Sequence, residues 1–146
     1  MRTDERTCPF CQIVDGADGT VLEVWRDTST VAFFPDHPAT PGHTLVIPRE
    51  HAETIDDLTA AAINELFHRV VALAPVIAAA VRAEGFNLIQ SNGAAAEQTV
   101  PHVHVHVLPR WSNDQMGAIW PESANLPRSL VDEAWHRVKN ATNDLR

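Results

Sequence analysis

Three histidines occur at every second position within residues 101–110, PHVHVHVLPR: they are His102, His104 and His106. Alternate residues of a β-strand face the same side, so the spacing predicts that the three imidazoles share one face of a strand. The valines between them are then expected to face the other side, against a helix. A neutral imidazole has a lone pair near pH 7 and can serve as a nucleophile, a general base or a metal ligand.

Geometry restricts which of these roles the row can fill. His102 and His106, four residues apart, would lie about 13 Å apart along the strand, too far for two nitrogens that must each lie about 2.1 Å from one ion. At most two of the three histidines are therefore expected to bind a metal, which leaves at least one for other chemistry. A solvent-facing polar row is the alternative, although such rows more often carry threonine, lysine or glutamate. Because histidine readily carries phosphoryl groups, phosphoryl or nucleotidyl transfer is the best chemical match.

A second group of metal-type residues lies near the N-terminus. Cys8 and Cys11, in CPFC, have the two-residue spacing that lets two thiolates bind one zinc ion. A redox pair is the other interpretation, but the thioredoxin-like βαβ pattern that it needs is not visible in the sequence. Two histidines would have to complete a zinc site.

The composition restricts the classes of partner. The 146 residues fit a single domain, and 19 Asp and Glu against 11 Lys and Arg give a formal net charge of −8. A chain this acidic is a poor binder of a nucleic-acid backbone, whereas a few local donors can still hold a small phosphate ligand. The N-terminal MRTDERTCPFCQ has no apolar signal-peptide region, and Pro75, Arg69 and Arg82 interrupt the longest apolar stretches. We therefore expect no membrane span and a cytoplasmic protein with reduced cysteines.

Hydrophobic periodicity predicts the elements that position these residues. Short or alternating apolar runs bounded by turn residues predict strands over residues 20–27, 30–36, 43–50, 86–93 and 100–110. Residues 54–84 change to three- and four-residue spacing, which predicts an amphipathic helix with acidic residues 56–57 in its first turn and Gly85 past its end. Pro75 is expected to kink or divide this helix, and a short helix is predicted over 129–139. The order of elements indicates an α+β domain with a mostly antiparallel five-stranded sheet, a kind of sheet that often pairs across a dimer.

Together the motifs resemble the histidine triad (HIT) family of nucleotide hydrolases and transferases, in particular its zinc-containing bacterial members. The resemblance rests on three segments in the family's order, CPFCQIV, FFPDHPATPGHTLVIPREH and EQTVPHVHVHVLPR. It covers roughly residues 8–110 of a single domain, 1–146, and leaves 111–146 as a C-terminal extension. The resemblance implies a five-stranded antiparallel sheet with one long central helix, usually assembled as a homodimer.

The resemblance also implies a mechanism. His104 would be the nucleophile that attacks the α-phosphorus of a nucleoside phosphoester or phosphoramidate. A nucleotidyl-histidine intermediate would form, from which water releases a nucleoside monophosphate. His106 is expected to donate to the phosphate oxygens, with His43 supporting it. Gln98 and Thr99, in EQTV, would bind the phosphate or the leaving group, and a polar turn entering the strand is the alternative for both.

A nucleotide pocket follows from the same resemblance. Asp36 falls where the family places the acceptor for the two ribose hydroxyls, a task that suits a carboxylate, and a turn aspartate is the alternative. The residues that match positions around the base are Phe10, Ile13 and Phe34. Each of these three could equally be a plain core residue.

Two positions depart from the family pattern. Glu97 stands where many relatives have glycine, and its carboxylate could repel a polyphosphate or simply point into solvent. Ser91 stands where relatives often have asparagine or glutamine in contact with the nucleotide, and the neighbouring Asn92 could substitute for it. Both departures bear on the substrate more than on the chemistry.

Zinc-containing members of the family complete the cysteine pair with two histidines, and the matching positions here are His51 and His102. The resemblance therefore implies a structural zinc site of Cys8, Cys11, His51 and His102, closed by four protein ligands, with one zinc per chain. In the competing set, His102 and His104 both bind the metal, which would consume the nucleophile.

The leading hypothesis is an enzyme, a nucleotidyl hydrolase or transferase that acts on nucleoside phosphoramidates or dinucleoside polyphosphates. Its expected partners are a purine nucleotide and a second copy of the chain, with no nucleic acid and no membrane. A catalytically weak nucleotide-binding or scaffold protein is the alternative. A third hypothesis, zinc-dependent hydrolysis at the triad, is disfavoured because a closed ligand set leaves no open metal position.

Overall fold

The structure is a computed structural model that describes residues 5–123 and 125–145. The chain divides into two compact units, Met1–Met116 and Gly117–Arg146. The first unit contains the sheet and the two helices that position the histidines. Within the second unit, helix α3 (Arg128–Thr142) confirms the short C-terminal helix predicted from the sequence and extends it by a few residues.

The first unit is built on a five-stranded sheet with the order β1-β2-β3-β5-β4. Its strands are β1 (Leu22–Arg26), β2 (Thr30–Phe34), β3 (Thr44–Pro48), β4 (Gly85–Gln90) and β5 (Val105–Arg110). All four neighbouring pairs are antiparallel, which confirms the predicted sheet. The order leaves β1 and β4 at the edges and places β5 between β3 and β4.

The fifth strand is shorter than the sequence predicts, because it begins at Val105 and not at Val100. The preceding segment bonds elsewhere: Val103 N–H donates to the Ala52 carbonyl at 2.8 Å, and His102 N–H to the Val100 carbonyl at 2.9 Å. Pro101 has no N–H to give to a ladder. Two of the three histidines, His102 and His104, therefore lie on an irregular segment that leads into β5.

Helix α2 (Ala60–Ala80) covers one face of the sheet. Its buried residues Leu66, Val70 and Ala74 belong to one apolar cluster with the valines that alternate with the histidines. Those valines are Val103, Val105 and Val107. The prediction that the valines face a helix is confirmed, and the imidazoles are left on the opposite side.

Both ends of α2 differ from the sequence prediction. Residues 56–57 lie in a separate 3-10 turn, Ile55–Asp57, and α2 begins at Ala60. The Thr59 hydroxyl caps the helix by accepting from Ala62 N–H at 3.2 Å. At the other end the left-handed residue is Arg82, at φ 55, whereas Gly85 already belongs to β4.

Pro75 lies inside α2 without dividing it. The side chain is exposed, so water can reach the carbonyl one turn earlier that the missing N–H leaves unpaired. By length and composition alone, α2 is the one helix among the described residues that could cross a membrane, with a mean hydropathy of 1.4. Its buried stripe packs on the sheet, as the core helix of a folded domain does.

A short helix that the sequence pattern did not predict, α1 (Pro9–Val14), belongs to a second apolar cluster of the sheet. Pro9 occupies the first turn, where a missing N–H costs nothing. Arg26 of β1 fixes the other end, since its guanidinium donates to the carbonyls of Ile13 at 2.9 Å and Val14 at 2.7 Å. Six residues are too few for the helical period to emerge from the sequence.

Candidate active site and metal site

His104 is held as a neutral imidazole with one nitrogen available. Its ring is buried, at 5% exposure, and Nδ1 lies 2.7 Å from the His102 carbonyl oxygen. A carbonyl can only accept, so Nδ1 carries the proton and donates, and Nε2 keeps the lone pair. Burial lowers the pKa of His104 below its ordinary value, which keeps the ring neutral at pH 7. A neutral ring with a free nitrogen is what a nucleophile requires.

A backbone amide determines which ring nitrogen carries the proton in His43 and, through His43, in His106. Ala39 N–H donates to His43 Nδ1 at 3.0 Å, so His43 must carry its proton on Nε2. That nitrogen lies 2.8 Å from His106 Nδ1 and donates to it. His106 therefore holds its own proton on Nε2, where it can donate to a ligand.

The three rings form a compact neutral cluster. The ring centroids of His104 and His106 lie 5.0 Å apart, and those of His43 and His106 lie 5.1 Å apart. Burial, followed by the nearby His104 and His43, lowers the pKa of His106 to about 4. Burial also lowers the pKa of His43. At neutral pH the cluster thus offers one lone pair and one N–H without carrying charge.

A pocket of about 230 Å³ opens beside this cluster. Its polar lining consists of His43, His106, Ser91 and Glu97, and apolar residues of β4 and β5 contribute as well. Ser91 is therefore the one residue of the predicted nucleotide-binding set that lines this pocket. Glu97, one of the two departures from the family pattern, lines it too.

Gln98 uses its carboxamide to hold a loop together. Nε2 donates to the Glu53 carbonyl at 2.7 Å and to the Val100 carbonyl at 3.1 Å, while Oε1 accepts from Gly93 N–H at 2.8 Å. The predicted contact of Gln98 with phosphate would compete with these three bonds. Thr99, the next residue, is exposed.

Asn92 is also bound within the protein. Its Oδ1 accepts from Ile55 N–H at 2.8 Å and from Gln90 Nε2 at 3.0 Å, and its Nδ2 donates to Gln90 Oε1 at 2.7 Å. The amide therefore ties the end of β4 to the 3-10 turn before α2. A direct contact with a nucleotide would need these bonds to rearrange.

The residues predicted around the nucleoside lie at α1 and at the end of β2. The Phe10 ring meets the His104 ring edge-on, with centroids 5.3 Å apart, and Ile13 is buried in the same apolar cluster as Phe10. Phe34 is half-buried at the end of β2, and Asp36 is exposed two residues later. Phe10 is thus the member of this group that touches the candidate nucleophile.

The four residues predicted as zinc ligands form a cluster in which one atom from each lies within 4.8 Å of the others. These residues are Cys8, Cys11, His51 and His102. His102 Nδ1 lies 3.5 Å from Cys8 Sγ, 3.6 Å from Cys11 Sγ and 3.2 Å from His51 Nδ1. Cys11 Sγ and His51 Nδ1 are 3.2 Å apart. Ligands of one tetrahedral zinc ion are separated by about 3.3–3.8 Å, so the cluster has the dimensions of a zinc site.

The protonation of His102 also fits metal binding. Its Nε2 lies 2.9 Å from the Pro48 carbonyl and donates to it, which leaves the Nδ1 lone pair aimed at the cluster. His104 is not part of this cluster, since its Nδ1 is bonded to the His102 carbonyl. The geometry therefore separates a metal-type site at His102 from a nucleophile-type site at His104.

Backbone groups are the functional atoms that sequence reasoning missed. The carbonyls of His102 and Pro48 and the amide of Ala39 set which nitrogen of each histidine is free. Every residue supplies such groups, so the sequence carries no signal for them. The irregular segment before β5 is what frees the His102 carbonyl from a strand ladder.

An antiparallel five-stranded sheet with a core helix on one face and a cluster of neutral imidazoles on the other defines an α+β domain of the histidine triad type. In agreement with this class, residues 21–113 match the family model described as HIT domain. The chain belongs to the HIT domain family. The family and the fold class predicted from the sequence are thus confirmed.

Two curated relatives cover most of the chain. Protein hit of Bacillus subtilis is 38% identical over 123 residues, which is 81% of each chain. Adenosine 5'-monophosphoramidase hnt1 of Schizosaccharomyces pombe is 32% identical over 137 residues, which is 91% of this chain and 99% of the relative.

Solved structures give the same result. A protein of Streptococcus mutans UA159 superposes with a TM-score of 0.85 and 31% identity, covering 100% of this chain and 90% of its own. A Zn-bound histidine triad family protein from Mycobacterium smegmatis superposes with a TM-score of 0.66 and 29% identity, covering 94% of this chain and 99% of its own.

Proposed function

We propose that this protein is a nucleotidyl hydrolase or transferase that cleaves nucleoside phosphoramidates or dinucleoside polyphosphates and releases a nucleoside monophosphate. The observation that carries the proposal is the 2.7 Å bond from His104 Nδ1 to the His102 carbonyl, which leaves a free lone pair on Nε2. Membership of the HIT family and a relative named as an adenosine 5'-monophosphoramidase support it.

In the first step, the lone pair of His104 Nε2 attacks the α-phosphorus. A P–Nε2 bond forms, and the bond to the leaving group breaks with its electron pair. In a phosphoramidate protonated on nitrogen, that pair leaves with a neutral amine. The charge that appears on the His104 ring is stabilised by the His102 carbonyl, to which Nδ1 donates.

In the second step, water attacks the same phosphorus, the P–Nε2 bond breaks and its electron pair returns to His104. Water supplies the new oxygen of the monophosphate and releases one proton to solvent. In both steps we assign His106 Nε2–H to donate to a phosphate oxygen, where negative charge develops. His43 holds that proton in place through its 2.8 Å bond to His106 Nδ1.

For nucleotide binding, we propose that Asp36 accepts from the ribose hydroxyls and that Phe10, Ile13 and Phe34 surround a purine base. The exposed Thr99 and the pocket-lining Ser91 would meet the phosphate. We assign Gln98 and Asn92 as positioning residues, because their amides already make the internal bonds described above.

We further propose that the metal cluster holds one structural zinc ion per chain. Four protein ligands would close its coordination sphere, so zinc would supply a cross-link and no open position for substrate. That cross-link would join α1 to the segment that carries His104. We place the protein in the cytoplasm, where both thiols stay reduced and able to bind the ion.

A second copy of the chain is the partner that the edge strand favours. Strand β4 is an edge of the sheet, and its Phe86 and Leu88 are 42% and 43% exposed. Val71 and Val76 of α2 are also exposed. We propose a homodimer through β4 and α2, which would cover the open edge and these apolar side chains. Light scattering should give the mass of two chains, and a concentration-independent monomer would contradict the dimer.

The experiment that tests the proposed activity is turnover of adenosine 5'-phosphoramidate by wild type, His104→Ala and a matched control, His68→Ala. His68 is exposed on α2, away from the cluster. The proposal expects H104A to lose at least about a thousandfold in kcat while remaining folded, and H68A to retain activity. No turnover by folded, zinc-loaded wild type would instead favour the catalytically weak nucleotide-binding protein.

A further inference from the structure

Glu97 occupies a backbone conformation that favours glycine. Its φ is 65 and its ψ is 24, in the left-handed region, and Arg82 is the one other non-glycine residue with positive φ among the described residues. Arg82 follows the last turn of α2, where helix ends commonly adopt this conformation. Glu97 likewise ends a short 3-10 turn, Ala94–Ala96, and this turn sets the direction in which the Glu97 side chain leaves the backbone.

The loop around Glu97 is held firmly. Glu97 N–H donates to the Ala94 carbonyl at 3.0 Å, and Gln98 N–H donates to the Gly93 carbonyl at 3.2 Å. The Gln98 carboxamide ties the same loop to the Glu53 carbonyl at 2.7 Å. These bonds fix the point from which the Glu97 side chain leaves the backbone.

That side chain brings a negative charge to the pocket beside the imidazoles. Among the described residues that line this pocket, Glu97 is the one with a formal charge at pH 7, and neither lysine nor arginine lines it. His43 and His106, whose pKa values are lowered by burial, leave that charge uncompensated. An anionic group that enters the pocket would meet repulsion, and a cationic group would meet attraction.

The leaving group is the part of the substrate that would enter this pocket. The residues that we assign to the base and ribose lie at α1 and the end of β2, and none of them lines it. His106, which we assign to the phosphate oxygens, does line it. With the nucleoside on the α1 side, the group beyond the phosphorus extends toward Glu97.

We propose that Glu97 is a specificity-determining residue that selects cationic leaving groups over anionic ones. The inference rests on the proposed function and narrows its substrates to nucleoside phosphoramidates whose leaving amine carries a second, positively charged group. Dinucleoside polyphosphates, which release an anionic nucleotide, are disfavoured substrates.

The test uses AMP amides that differ in the charge of the leaving amine while keeping the same P–N bond. The amines are 1,3-diaminopropane (cationic), propylamine (neutral) and β-alanine (anionic), and kcat/KM is measured for each at low salt. The variants are Glu97→Gln, which removes the charge, and Glu97→Gly, which also removes the backbone strain. Glu65→Gln is the matched control, since it removes an exposed carboxylate of α2.

Wild type should prefer the diaminopropane amide to the β-alanine amide. In E97Q and E97G this preference should fall by at least about tenfold, and E65Q should keep it. The preference of wild type for the diaminopropane amide should decrease at about 0.5 M salt, because Glu97 is exposed and salt screens its charge.

A preference in E97Q within twofold of wild type, with the amides still turned over, would overturn the role of Glu97 and leave the proposed function intact. A change confined to E97G would also overturn it, because loop conformation would then be the cause. Failure of wild type to turn over any of the three amides would overturn the proposed function together with this inference.

Discussion

His43 is the residue through which the backbone sets the protonation of His106. It accepts from Ala39 N–H at 3.0 Å and donates to His106 Nδ1 at 2.8 Å. His43→Ala removes this donor and, because His43 is only 7% exposed, opens a space beside the pocket that water can enter. His106 then loses the partner that keeps its proton on Nε2.

The expected change follows from the causes of the His106 pKa. Burial comes first, then His104 and His43, and together they lower this pKa from 6.5 to about 4. In H43A, water relieves the burial and the His43 contribution vanishes, so the pKa should rise toward 6.5. The variant keeps the other titratable residues beside His106, which are His104 and Glu97.

The same shift makes a stability prediction with a definite sign. Between pH 6.5 and about 4, the unfolded chain binds more protons at His106 than the folded protein does. Folding stability from this residue is therefore full above pH 6.5 and is lost as the pH falls toward 4. The difference between pKa values of 6.5 and about 4 limits the loss of unfolding free energy to about 3 kcal/mol. The true loss is smaller, because the half-buried ring is in contact with solvent. H43A should flatten this dependence.

Side-chain ¹H–¹⁵N spectra of the histidines, recorded through a pH titration, measure the protonated nitrogen and the pKa together. Wild-type His106 should show Nε2–H and titrate near pH 4, and H43A should titrate at least about one pH unit higher. The kcat/KM of H43A should fall about fivefold, since one net hydrogen bond contributes about 1 kcal/mol. H68A should match wild type. An unchanged His106 pKa and tautomer in H43A would refute this reasoning.

Two further predictions concern stability. In Cys11→Ala, metal analysis should find no bound zinc. When the zinc concentration is about a hundredfold above the Kd, the variant should also lose about 2.7 kcal/mol of unfolding free energy. Equal zinc content in C11A and wild type would contradict the site. Gly42→Ala should destabilise the fold by about 1–2 kcal/mol in urea titrations, because Gly42 has φ 82 and a Cβ there would lie 3.0 Å from Val81 Cγ1. Wild-type stability of G42A would show that this loop relaxes freely.

The alternation of histidine and valine is enough to predict how the histidine-bearing segment lies on the fold. Valines at odd positions of residues 103–107 are buried under α2, and the imidazoles face away from that helix. The CPFC spacing likewise pointed to a metal cluster, although the two histidines of the set came from the family resemblance. The orientation of the valines and the presence of a metal cluster depend on the types and spacings of side chains, which can be read directly from the sequence.

Other features depend on backbone geometry that the sequence does not encode locally. The left-handed residue after α2 is Arg82 and not Gly85, because the helix ends at Ala80, four residues before the predicted end at residue 84. The loss of ladder bonds before Val105 follows from the bond of Val103 to Ala52, a residue distant in the chain. Hydrogen bonds to backbone groups also determine which ring nitrogen of each histidine remains free.

The central claim is that His104 Nε2 forms a covalent bond to the phosphorus of a nucleotide. The most direct measurement is rapid quenching of wild type with adenosine 5'-phosphoramidate at alkaline pH, where a phosphohistidine survives, followed by peptide mass spectrometry. The account predicts an AMP adduct on the peptide that spans residue 104, located on His104 and absent from H104A. An adduct on another residue, or H104A that still turns over the substrate, would contradict it.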